Sequence, residues 1–163
     1  MRAKLRTLRA LPTFTLAWLL PAWAAMGAAA LALRILPFGR LARLFGPNIG
    51  AVGYVPIATP LQQRRAAAIR AAVAVAAAYS PLRSDCVPQA LVGLLLCRLH
   101  RVPAALHIGA AFCESGTSGP RRLKAHAWLV SGRVPVTGSI SDAYSPLSCF
   151  VSVRGPDLRG TCA

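Results

Sequence analysis

At Val102 and Pro103 the apolar pattern of this chain changes period, and that change limits the folds open to it. Before it, apolar residues recur at helical spacing. Pro60 sits at the start of LQQRRAAAIRAAVAVAAAY, and Ser80 with Pro81 ends that helix. A second apolar helix runs from about Cys86 to about His100, with Ser84 and Asp85 as N-cap candidates and Pro88 in its first turn. After Pro103 the pattern alternates, giving strands over residues 104–112, 123–130, 133–136 and 147–153, with a tight turn at Ser131 and Gly132. Helices first and an antiparallel sheet last is an α+β arrangement. At 163 residues the chain is one domain, or one domain with an appendage, and can bury a core without disulfides. Residues 46–59, rich in Gly and Pro, read as a linker. They divide an apolar helical region, with linker, at 1–59 from a domain at 60–163.

Residues 14–33 carry no charge and follow the basic start MRAKLRTLR, which meets the length criterion for a membrane span and resembles the early part of a signal peptide. Against a span stand the many Ala and Gly residues, an interruption at Pro21, and Arg34, Arg40 and Arg43, which extend the pattern as a polar stripe. The expectation is a retained helical hairpin, buried or docked on the surface, in a cytoplasmic protein with peripheral membrane contact. The formal charge of +15 asks for an anionic partner. Its arginines are dispersed without interleaved aromatics or a nucleic-acid-binding motif, so nucleic acid is not expected, and an acidic peptide partner stays open.

The five cysteines are odd in number and show no CxxC or CxxH spacing, which argues against a zinc site and against a complete disulfide framework. No metal and no cofactor is expected. Cys86 stands apart because the positive end of a helix dipole favours a nucleophilic thiolate. Cys97 lies three turns on and reads as core, Cys113 and Cys149 as strand filler, and Cys162 as a solvated terminus. Of the histidines, His126 lies in the alternating stretch KAHAWLVSGRVPV, on a strand hairpinned to the next. His100 suits a structural, dipole-complementing role at a helix end, and His107 lies in an apolar strand. A helix-borne cysteine followed by a strand-borne histidine is the chain order of papain-like and transglutaminase-like cysteine enzymes. A third group normally orients the imidazole. Of the four acids Asp85, Glu114, Asp142 and Asp157, elimination leaves Asp142, in the loop SISDAYSPL. Asp85 is given to capping.

The segments SDCVPQAL, RVPAALHIGA, AHAWLVSGRVPV and YSPLSCF, in that order and spacing, resemble the lasso-peptide leader peptidases, and ILPFGRLARLFG resembles that family's helical lead-in. The resemblance implies a transglutaminase-like core, with Cys86 at a helix N-terminus packed on a small antiparallel sheet, preceded by apolar N-terminal helices. It implies a cysteine endopeptidase that cuts leader from core in a precursor peptide, with Cys86 as nucleophile and His126 as base. The freed α-amine would then be joined to a side-chain carboxylate by an ATP-dependent lasso cyclase. Where many members carry the third carboxylate on the strand after the histidine, this chain has Val134, Pro135, Val136, Thr137 and Gly138, so Asp142 substitutes or the site is a dyad. Residues 1–60 lack the alternation of a winged-helix leader-binding module, which implies the split form and a separate leader-recognition protein. The rival readings are an acyltransferase of the same fold and a small membrane-anchored protein without activity.

Overall fold

The computed structural model describes residues 13–80, 85–113, 122–138 and 144–152. Ser84, Glu114, Asp142, Asp157 and Cys162 lie outside them, as does the side chain of Cys113. Among the described residues four helices precede four strands: α1 Thr13–Ile35, α2 Phe38–Ala42, α3 Pro60–Ala78, α4 Cys86–Leu99, β1 Ala104–Cys113, β2 Arg122–Ser131, β3 Val134–Thr137 and β4 Ser145–Ser152. The strands form one antiparallel sheet in the order β3-β2-β1-β4, so the α+β reading holds.

The start of α3 is fixed by local chemistry. Thr59 accepts a hydrogen bond from the Gln62 backbone at 3.3 Å, the Gln62 side chain accepts one from the Thr59 backbone at 2.9 Å, and Pro60 opens the helix. Its buried stripe, Ala66, Ile69, Ala72, Val73 and Ala76, follows helical spacing. By contrast α4 is buried on most sides, because α1 and α3 pack against it and the sheet lies beneath it. Gly93 allows that approach: a Cβ there would lie 3.0 Å from side-chain atoms of both Leu129 and Thr137. The end of α4 is set by Arg101 at φ 55°, with the Val102 N–H donating back to the Cys97 carbonyl at 2.8 Å.

The N-terminal region differs from the expected hairpin. α1 is one helix of 23 residues that runs through Pro21. A proline in a helix interior removes one hydrogen bond, and the packing of Ala22 and Met26 against the core offsets that loss. The expected polar stripe is absent: the exposed side of α1 is formed by Leu16, Leu20, Trp23, Leu31 and Ile35, with Arg34 only in its last turn.

The Gly/Pro-rich stretch is likewise more than a linker. Backbone bonds join Ile49 to Cys149, Cys149 to Gly50 and Val151 to Pro47, which lays this stretch along β4. Further on, the Gly132 N–H donates to the Pro56 carbonyl at 3.0 Å, tying the stretch to the β2–β3 turn. The Arg98 guanidinium donates to the carbonyls of Leu44 and Phe45 and to the Ser152 hydroxyl, anchoring the same region to the end of α4.

Strand alternation sorts the sheet into two faces. Leu106, Ala127, Leu129, Val136 and Phe150 join the helices in the main core. Ala105, His107, Trp128, Val130, Cys149 and Val151 lie on the opposite face.

Candidate active site

Cys86 is the first residue of α4, and Asp85 is its N-cap in extended conformation, φ −61° and ψ 164°. The Asp85 side chain makes no capping hydrogen bond, contrary to the capping role expected of it. The first N–H groups of any helix lack intrahelical partners, so those beside Cys86 are available as donors to an anion. The thiol is half-buried, free, and packed against the main apolar core. A side chain carried by a helix that is buried along its length is held in place by that packing.

His126 is paired through β2 with Gly109 of β1 and belongs to the face opposite α4. Its ring stacks on Trp128 at 5.9 Å and packs on Tyr144 at 4.9 Å, while Trp128 stacks in turn on His107 at 5.3 Å with a 10° interplanar angle. Two glycines make room for this row. A Cβ at position 109 would stand 2.8 Å from the Trp128 ring. One at position 138, where φ is +69°, would stand 2.9 Å from Trp128 Cβ and 3.1 Å from His126 Nε2. That Nε2 is buried and has no hydrogen-bond partner among the described residues. Leaving a buried polar atom unpaired costs about 1–3 kcal/mol.

No hydrogen bond joins the Cys86 thiol to His126 Nε2. A cleft of about 130 Å³ is lined by Gln89, one turn into α4 from Cys86, by Gly138, which abuts the imidazole, and by Arg70, Pro135 and Thr137, but by neither Cys86 nor His126. Tyr144 and Gly138 both contact His126 and flank residues 139–143.

The other candidates resolve into structural parts. Cys97 is fully buried, and burial pushes its thiol up to about 12, so it is inert at neutral pH. His107 donates from Nε2 to the Tyr54 carbonyl at 2.9 Å, which fixes its tautomer. Burial holds His107 below the ordinary histidine range, with the Tyr54 bond acting in the other direction. Cys149 lies 4.0 Å from the same Nε2, and burial raises its thiol. His100 was expected to act as a cation at the end of α4. Instead it packs between Phe14 and Trp18, and burial, followed by repulsion from Arg65, lowers its proton affinity. Among the described residues no group of three His, Cys, Asp or Glu could hold a metal ion.

Tyr144, Gly109 and Gly138 are the parts of the His126 surroundings that sequence reasoning did not single out. The signals were modest: a glycine inside an apolar strand, a glycine ending another, and an aromatic residue two positions after the only acid between β3 and β4.

Comparison with known proteins gives the family and no nearer relative. No curated protein and no solved structure matches the chain. Residues 32–149, which span α4 and most of the sheet, match the transglutaminase-like superfamily. With a helix that begins at a cysteine, a histidine-bearing strand and a match over most of its length, the chain belongs to the transglutaminase-like superfamily, whose members include cysteine proteases and acyltransferases.

Proposed function

We propose that this chain is a cysteine endopeptidase that removes the leader from a lasso-peptide precursor. The observation that carries the reading is a Cys86 that opens α4 beside the unpaired N–H groups of a helix start, in a chain whose β2 carries a His126 with a buried Nε2 that has no partner among the described residues. The Cys86 thiolate attacks the scissile carbonyl, and N–H groups of the first turn of α4 receive the developing oxyanion. The C–N bond breaks as His126 gives its proton to the leaving amine, which is the α-amine of the core. The leader remains as a thioester on Cys86. His126 then takes a proton from water, hydroxide attacks the thioester, and the leader leaves as a carboxylic acid with the thiolate restored.

Asp142 is the group proposed to orient the imidazole, because both ends of the segment that holds it, Gly138 and Tyr144, lie against His126. A separate leader-recognition protein presents the precursor, and an ATP-dependent cyclase consumes the freed amine. The test is a mass measurement of the precursor peptide after incubation with this chain and the recognition protein. Cleavage at one junction, abolished in Cys86→Ala, is expected, and near-normal cleavage by Cys86→Ala would overturn the reading. Added hydroxylamine or a primary amine tests the acyltransferase alternative: a protease yields mainly the free leader acid, whereas an acyltransferase yields the leader joined to the added amine.

A further inference from the structure

The side of α1 turned away from the protein is apolar until its last turn, where Arg34 joins it. Leu16, Leu20, Trp23, Leu31 and Ile35 are exposed, Leu20 at 75% and Ile35 at 69%, and Phe38 and Leu44 continue the apolar surface beyond the helix. Single exposed leucines are ordinary, but a continuous stripe of them is a contact surface. The charge flanking it in the sequence has one sign. No acidic residue precedes Asp85, whereas eleven Lys and Arg do, including four in the first nine residues and Arg34, Arg40 and Arg43 just beyond the stripe. Two copies meeting across α1 would bring these like charges together, while anionic headgroups complement them.

We propose that α1 lies in the plane of an anionic phospholipid bilayer surface, with Leu20, Trp23 and Leu31 among the acyl chains and the flanking arginines among the headgroups. α1 is also long and apolar enough to cross a membrane. Its other side, however, is committed to the protein: Thr15, Ala22 and Met26 are buried, and Phe14 and Trp18 hold His100 at 5.0 and 5.1 Å. A crossing helix would have to give up these contacts with the helices beneath, or draw Arg64, Arg65 and Arg70 of α3 toward the hydrocarbon. A helix bound to the protein on one side and apolar on the other satisfies both constraints by lying flat.

The experiment is vesicle flotation of the full purified chain, with vesicles of mixed phosphatidylglycerol and phosphatidylcholine compared with phosphatidylcholine alone. Binding to the mixed vesicles is expected, weakened by salt, and reduced about tenfold or more by the double variant Leu20→Glu, Leu31→Glu with its helical circular dichroism unchanged. If that variant fails to fold, brominated acyl chains supply the readout in the unaltered protein, where tryptophan quenching is expected. Absence of flotation or of quenching would overturn the proposal, as would flotation that the folded glutamate variant leaves intact. So would a dimer in light scattering that the glutamates dissociate, which would make the occupant a second copy. Resistance to alkaline carbonate extraction from cell membranes would likewise overturn it in favour of a spanning helix.

Discussion

On the helix-covered face of the sheet, Leu106, Leu129 and Val136 present only carbon to the core beneath α4, whereas the opposite face carries His107, Trp128 and His126 in a stacked row. The first face gains from each buried methyl group, and its side chains have neighbours on every side. The second face holds two buried ring nitrogens, His107 Nδ1 and His126 Nε2, that lack hydrogen-bond partners among the described residues. The same two strands, β1 and β2, thus build one face of carbon alone and one that also buries polar rings. Substitutions on the two faces of β2 should therefore fail in different ways.

The largest contrast is expected between His126 and Leu129, three residues on along the same strand. His126→Ala should lower precursor cleavage by about 10³-fold or more while leaving the urea midpoint close to that of the unaltered protein, since nucleophile and base act as a unit. A comparable loss of stability would mean that the imidazole is a packing element. Leu129→Ala, on the carbon face, should cost about 2–5 kcal/mol in urea denaturation and leave the activity per folded molecule unchanged. If cleavage fell far more than the folded fraction, the division between the faces would be wrong.

Gly138→Ala comes next and touches both properties. Its φ of +69° strains any side chain, and the added carbon meets Trp128 and His126 Nε2 at about 3 Å. A destabilisation of about 1 kcal/mol is expected. It should be accompanied by a fall in kcat larger than the change in KM, because the carbon displaces the imidazole and leaves peptide binding largely intact. Equal effects on the two constants would place Gly138 in binding instead.

The smallest effect is a pH dependence. His107 is held below its ordinary value of 6.5 by burial, so the unfolded chain binds its proton first. The stability this neutral ring contributes is fully present above about pH 6.5 and is lost as the pH falls from there toward the lowered folded value. His100, shifted in the same direction, adds to the slope. His107→Gln should flatten the curve of urea midpoint against pH over that interval; an unchanged slope would assign the dependence to other groups.

How much of this was legible in the sequence depended on whether a segment's structure is decided locally. The start of α4 at Cys86, its end near His100 and the four strands follow from periodicity and from Pro88 and Pro103, and the structure has them within a few residues. The continuity of α1 through Pro21 was hidden, because it rests on the burial of Ala22 and Met26 against helices distant in sequence. The course of residues 46–58 was hidden for the same reason. Their partners are the backbones of Cys149, Val151 and Gly132, and no local period encodes such a pairing. In the candidate site, Cys86 and His126 stood out by their element and order. The Trp128 stack with His107 needed the register of β1 against β2, which sets these two side chains opposite one another. Asp142 was reached by elimination alone, and it lies outside the described residues.

The account turns on a covalent bond at Cys86, and intact-protein mass spectrometry of a rapidly quenched reaction with the precursor and recognition protein tests this most directly. The account predicts a transient species heavier by the mass of the leader less one water, mapped to the Cys86 peptide, discharged by neutral hydroxylamine and absent in Cys86→Ala. Normal turnover by Cys86→Ala, or a leader adduct carried by any other residue, would contradict it.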